Sequence, residues 1–355
     1  MQIDMHYYGT FTMAYAAGFE VADAHIIATS AQMVDDNSCT SFYPLESGEA
    51  VQGVATAHHP LEAGQRAVSL LKDDDSRVIW VPFHFLPGNQ GDTYEEKLIC
   101  RQDSDIARKM MDYYSSEAVI KGHHSHCLHL MGVAAHVYAD TFSHYGFSGI
   151  PSSLNHVEMS EICLDDGHSS TLLETILKKA ANFKEIFTGG IAANVGLGHG
   201  AVATFPDRPF LKWSYTLPTG QKVVRDNHAT FLDGCEQLHN YFSKFRNSYY
   251  GVDRPTHISF DDIRESVADI LRIEGDCEQR KNGWIEAVEG GEIGDAVKFP
   301  LYSPSEWIDD LLNAEKLELR AGKVVSDGYN FFAASDYHKN YVLKRLLPEV
   351  GLFVA

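Results

Sequence analysis

The sequence predicts a mainly α-helical protein, and three observations carry that prediction. Apolar residues recur at three- and four-residue steps in segments spread along the chain, the period of an amphipathic helix. Stretches that read as strand are few. Single glycines and prolines punctuate the helical segments, with no internal repeat and no low-complexity tract. At 355 residues and 44% apolar content, the chain has ample material for a large core.

Residues 5–34 read as a helical pair. "MHYYGTFTMAYAAGF" is followed by the Ala-rich "EVADAHIIATSAQMVDD", and Gly18 is the break between them. Residues 37–103 form a loop-rich insertion in which "RVIWVPFHFLPG" resembles a strand or an extended buried segment. Helical spacing resumes over 104–147, with a break at Gly122. A loop at "FSGIPSS" leads to a helix around 168–187, and "GGIAANVGLGHGAVATFPDRPF" predicts irregular chain. Residues 214–227 predict a hairpin or a linker, and helices are expected over 228–248, 260–290 and 328–347.

Composition excludes several classes. The first residues lack both the basic region of a signal peptide and an uninterrupted apolar segment, and no later run approaches the roughly 20 apolar residues that span a bilayer. Six scattered cysteines without a CxxC pair read as reduced thiols in a cytoplasmic protein. The formal charge of −20, from 49 acidic and 29 basic residues, opposes nucleic-acid polymers and anionic membranes. A small phosphate ester held by metal ions stays compatible with it. There is no GxxxxGK[ST] loop and no GxSxG elbow.

The stretch "HLMGVAAHVYADTFSHYGFSG" otherwise reads as a buried helix, yet it carries His136, Asp140 and His144 at steps of four. At about 100° per residue such positions drift only about 40° per step, so they share a face. Burying them without partners costs roughly 1–3 kcal/mol each. A metal ion satisfies all three; a buried hydrogen-bond network is the alternative.

Other candidate ligands sit in distinctive contexts. His6 and Asp4 open the first helix, and Asp35–Asp36 close the second, where carboxylates oppose the helix dipole. His84 lies in the apolar "WVPFHFLPG", and His199 and Asp207 flank "GHGAVATFPD". Each has a plainer reading: a core histidine bonded to a carbonyl for His84, a tight turn around His199, a turn cap for Asp207. In "GHHSHCLH", His123, His124, His126 and His129 cannot all face inward, and His129 alone shares the face of His136. His58 and His59 fall in a polar loop. Carboxylates with imidazoles suit zinc, manganese or iron. Two or more ions about 3.5–4 Å apart would polarise a phosphoryl oxygen and generate hydroxide near neutral pH. Gly132 would allow close approach of a neighbouring helix, and Arg208 is a candidate to orient an anionic substrate.

"GVAAHVYADTFSHYGFSG" resembles the HxxxDxxxH signature of the zinc-dependent phospholipase C superfamily, in particular the branch found in glycosylphosphatidylinositol-specific phospholipase D. The blocks "MQIDMHYYGT", "QMVDDN", "PFHFLPG" and "GHG…PDRPF" also resemble an uncharacterised bacterial family over roughly residues 1–250. The superfamily resemblance implies a multi-helix bundle. Its multinuclear site would take His6, Asp35 or Asp36, His84, His136, Asp140, His144 and His199, in that order. Two features depart from that pattern. Secreted phospholipases C expose an N-terminal Trp whose backbone atoms bind metal, where this chain has Met1, and the superfamily's final His-xxx-Glu pair has no clear match. An HD-type phosphohydrolase would need an adjacent His-Asp pair, which is absent.

The expectation is a mainly α bundle, with residues 1–355 as a single domain: a metal-binding core over 1–215 and a C-terminal helical extension over 216–355. Its function is expected to be metal-dependent hydrolysis of a phosphoester in the cytoplasm. Divalent ions, zinc first and manganese or iron otherwise, two or more in number, are held by His6, Asp36, His84, His136, Asp140, His144 and His199, with Asp35 or Asp207 as the base. A small phosphoester is the expected partner, without nucleic-acid polymer or membrane insertion. The alternative is a non-catalytic, metal-stabilised binding or scaffold protein.

Overall fold

The computed structural model describes residues 1–38, 42–44, 50–57, 76–157, 159–165, 167–168, 174, 176, 198–199, 202–217, 219–251, 258–312 and 326–354. Within them the protein is mainly helical, with a two-stranded and a three-stranded sheet. The chain opens with a π-helical turn, Asp4–Gly9, that runs into α1 (Thr10–Ala16). Gly18 then turns the chain at φ +94°, a left-handed conformation that favours glycine. Helix α2 (Val21–Asp36) follows, and the antiparallel strands β1 (Phe42–Pro44) and β2 (Ala50–Gln52) lie beyond it.

The apolar "RVIWVPFHF" run is helical, not extended. Ser76–Trp80 is a π-helical turn and Val81–Phe83 a single helical turn, α3. A short apolar run reads alike as strand or buried helix. Here Pro82 falls in the first turn of α3, where its missing N–H leaves no bond unmade. After α4 (Tyr94–Lys97), the expected helix over 104–147 divides into α5 (Asp105–Tyr114), α6 (Glu117–Gly122) and α7 (Cys127–Asp140). The Ser104 side chain caps α5 through the Ala107 N–H. The regular helix stops at Asp140, so His144 stands on the turn beyond it. Its N–H still donates to the Asp140 carbonyl at 2.7 Å, which keeps it one turn above that residue.

Every residue of α7 is buried. It lies between α2 and the late helix over Asp327–Tyr341, and its contact with α2 is close because position 132 is glycine. A Cβ there would stand 2.3 Å from the Ile27 carbonyl oxygen and 2.6 Å from the Ser30 Cβ.

Strand β3 (Cys163–Leu164) pairs with β4 (Lys212–Thr216), which forms an antiparallel hairpin with β5 (Lys222–Asp226), so residues 214–227 are a hairpin rather than a linker. Helix α8 (Asn227–Tyr250) leads to α9 (Phe260–Leu271) and α10 (Cys277–Glu289). The last two divide the expected 260–290 helix, because Asp276 and Gln279 form a capping box that starts α10 afresh. Helices α11 (Pro304–Leu312) and α12 (Asp327–Tyr341) complete the set. One apolar core takes in residues from Met1 to Val354, and a smaller one gathers Phe85, Phe147, Phe205 and Trp213. Among the described residues no helix is long and apolar enough to cross a membrane. The helix expected around 168–187 lies almost wholly outside the described residues, as do His58 and His59.

Candidate metal centre

Six segments converge at the far end of α7. The opening π-helical turn brings His6, the last turn of α2 brings Asp35, and the residue after α3 is His84. Helix α7 supplies His136 and Asp140, and the following turn supplies His144. The stretch from 198 to 207 contributes His199 and Asp207. Their ligand-type atoms form three groups, each within 4.8 Å: His6, His136 and Asp140; Asp35, His84 and His136; His144, His199 and Asp207. Asp140 lies at the middle, with oxygens 3.1 Å from His6 Nε2, 3.2 Å from His136 Nε2 and 3.5 Å from His84 Nδ1.

The backbone fixes how these rings present themselves. His136 donates Nδ1–H to the Ala31 carbonyl at 2.8 Å, and His84 donates Nε2–H to Thr56 O at 2.9 Å. His144 donates Nδ1–H to the His84 carbonyl at 2.9 Å, and His199 donates Nδ1–H to Ala203 O at 2.8 Å. With one nitrogen of each ring held as a donor to a carbonyl, the other is turned toward the carboxylates. His136 Nε2 and His84 Nδ1 stand 3.3 Å apart, and Asp140 and Asp35 raise the His84 pKa against its burial, so without an ion a proton is favoured there.

Other buried atoms of the cluster make no hydrogen bond, although each lies within ion-pair distance of a neighbour. His6 Nε2, Asp140 Oδ2 and Asp207 Oδ1 all lack a hydrogen bond. Buried carboxylate oxygens and imidazole nitrogens without hydrogen bonds are unfavourable unless a positive charge stands among them. The donor set therefore fits divalent ions, and the eight side chains are more than one tetrahedral ion needs.

One cationic group does reach the cluster. The Met1 amino nitrogen donates to Asp140 Oδ1 at 2.7 Å and stands 3.3 Å from His144 Nε2 and 3.4 Å from Asp207 Oδ1. Burial works against that charge, but Asp140, Asp207 and Asp35 overcome it and raise its pKa to about 11. Burial would push Asp140 up, yet His144, the Met1 amino group, His136 and His6 hold it well below the carboxylate range. Asp207 is likewise held down against its burial by His199 and the Met1 amino group. Burial depresses His6 strongly and takes His144 to about 4, so both rings are neutral lone-pair donors at neutral pH.

The structure brings His6, His84, His136, Asp140, His144 and His199 close together, and it differs from the expected set at two points. Asp35, not Asp36, faces the histidines, with oxygens 3.8 Å from His6, His84 and His136 nitrogens. Adjacent residues on a helix stand about 100° apart, so one of the pair had to turn away. Asp36 accepts hydrogen bonds from Tyr302 at 2.6 Å and Gln32 at 3.2 Å instead. Asp207, expected as a base, stands among ligand-type atoms. Asp4 turns away to Arg280, and His129 bonds Asp327 at 3.0 Å. His123, His124 and His126 belong to none of the three groups. Sequence reasoning missed the Met1 nitrogen and the four carbonyls, because backbone atoms leave no residue-type signal.

Residues 1–346 match the model of a family described as a family of unknown function (DUF6765), and the chain belongs to that family. No curated protein and no solved structure matches the chain.

Proposed function

We propose that this family member is a metal-dependent hydrolase acting on a small phosphoester at a multinuclear His/Asp centre. The observation that carries the reading is the set of four carbonyl-anchored imidazoles whose free nitrogens meet Asp35, Asp140 and Asp207. His6, Asp35, His84, His136, Asp140, His144, His199 and Asp207 would hold two or more ions, zinc first among them. When bound, such ions polarise a phosphoryl oxygen and lower the pKa of a water, which are the two needs of phosphoester hydrolysis.

The chain's own groups do the rest. Asp35, with 31% of its side chain exposed, meets both the cluster and solvent and is the group in reach of an attacking water's proton. Phe85 stacks on the His144 ring at 4.8 Å and shields that side from water. The resemblance to zinc-dependent phospholipases C supports phosphoester chemistry, and the acidic chain favours a small ester over a polymer.

A second reading, a structural metal centre without turnover, draws on the near-complete burial of His6, His136 and Asp140. Elemental analysis of untagged protein, paired with the double variant His136→Ala/Asp140→Ala, separates the readings. Two or more equivalents of metal, lost in the variant and accompanied by hydrolysis in a phosphoester screen, support the enzyme. One tightly held equivalent without turnover moves the assignment to the structural centre. No uptake of any divalent ion overturns both.

A further inference from the structure

Arg208 follows Asp207 directly, and its burial is unusual for a charged residue, with 8% of its surface exposed. Among the described residues no carboxylate stands within ion-pair distance of it. Its hydrogen bond there runs from Nε to the Thr204 hydroxyl at 3.2 Å. The nearby carboxylates are already committed. Asp207 faces the Met1 nitrogen and His144, and Asp4 pairs with Arg280. Arg280 is a second buried guanidinium, also bonded to Gly275 O and Gln2 Oε1, and it lies 5.8 Å over the Phe210 ring on the same turn as Arg208. Of the two guanidiniums, Arg280 has a carboxylate paired with it, Asp4, and Arg208 has none at ion-pair distance among the described residues.

A buried cation without an anion is strongly unfavourable, whereas an arginine fork suits the oxygens of a phosphate. Asn227 holds the segment in place, since its Nδ2 donates to the carbonyls of Phe205 and Arg208 at 2.7 and 2.8 Å.

We infer that Arg208 is the anion-binding residue of the centre and that the substrate is a phosphate monoester. This rests on the phosphoester reading above. Asp207 belongs to one ligand group and Arg208 is the next residue, and on this reading its guanidinium sits at the edge of that group. A monoester dianion has three free oxygens, enough to meet two ions and the guanidinium together. A diester has two.

The test uses inorganic phosphate as the probe, with the wild type, Arg208→Met and Arg208→Lys. Metal content is measured first in each. Arg208→Met is expected to keep the full metal complement and to melt no lower than the wild type without ligand, since it removes an unpaired buried charge. Its phosphate affinity by titration calorimetry should fall at least about tenfold, with partial recovery in Arg208→Lys. Hydrolysis of p-nitrophenyl phosphate should fall more than that of bis(p-nitrophenyl) phosphate. Unchanged phosphate affinity in a metal-replete Arg208→Met overturns the inference and leaves the metal centre standing. If the wild type takes up no metal, the phosphoester reading fails. Metal-free protein then decides the anion site alone: weaker phosphate binding in Arg208→Met keeps it, and equal or absent binding in both removes it.

Discussion

His136 Nε2 and His84 Nδ1 face each other at 3.3 Å, and each ring donates its other nitrogen to a backbone carbonyl, Ala31 for one and Thr56 for the other. An ion held by these two nitrogens and the carboxylates would take the place of the proton that Asp140 and Asp35 favour on His84, and it would bind the folded chain alone. Metal removal should therefore destabilise the protein. A site filled at a hundredfold above its Kd adds about 2.7 kcal/mol of stability, so chelation should lower the melting temperature and re-addition should restore it. His84→Ala should shrink that gap. An identical melting temperature with and without metal would sink the claim.

Asp35 and Asp36 are adjacent in sequence and face different partners. Asp35→Asn should weaken metal binding by about tenfold or more. Asp36→Asn, which loses only part of its bonding to Tyr302 and Gln32, should leave the metal content unchanged. Competition with a chromogenic chelator measures both, and equal effects in the two variants would refute the assignment.

Gly132 sets the distance between α2 and α7, the helices that carry Asp35 and the His136/Asp140 pair. Gly132→Ala puts a methyl group against the Ile27 carbonyl, a backbone atom that cannot rotate aside. Overpacking of this kind costs about 2 kcal/mol. Urea denaturation should show that loss, together with weaker metal binding as the two helices part. A fully stable variant would mean that the helices slide apart without strain.

His338 supports the centre from behind and predicts a pH dependence. Its Nε2–H donates to the Pro82 carbonyl at 2.8 Å, two residues before His84, and its Nδ1 lies 3.0 Å from the Tyr114 hydroxyl. Burial lowers its pKa from 6.5 to about 4. Above 6.5 the ring is neutral whether the chain is folded or unfolded, and it contributes no pH dependence. Below that value the unfolded chain takes up a proton that the folded protein refuses, so stability falls, by about 3 kcal/mol once pH 4 is reached. His338→Asn should flatten this part of the curve. The check is urea denaturation of metal-free wild type and variant from pH 7.5 to 4.5, and parallel curves would contradict it.

Much of the centre was legible because helical periodicity is a local property. Steps of four mark one face wherever the helix lies, so His136 and Asp140 declared themselves, and a histidine in an apolar run made His84 conspicuous. The helical class followed from the same period. That period could not separate a strand from a short buried helix at Ser76–Phe83, nor show that α7 ends before His144. The pattern "VDD" could not say which carboxylate faces inward, since that depends on the rotation of α2 against α7.

The chemistry of the rings lies further still from the sequence. Whether His136 offers Nε2 or Nδ1 is settled by a carbonyl 105 positions away, at Ala31. The Met1 nitrogen reaches Asp140 across 139 positions, and neither group has a side-chain type that would announce it. Residue types and their spacing thus specified a helical protein with a polar stripe suited to metal ions. Folding selected which atoms of those residues face one another, because packing between distant segments, not local propensity, sets the rotation of each helix and the partner of each ring.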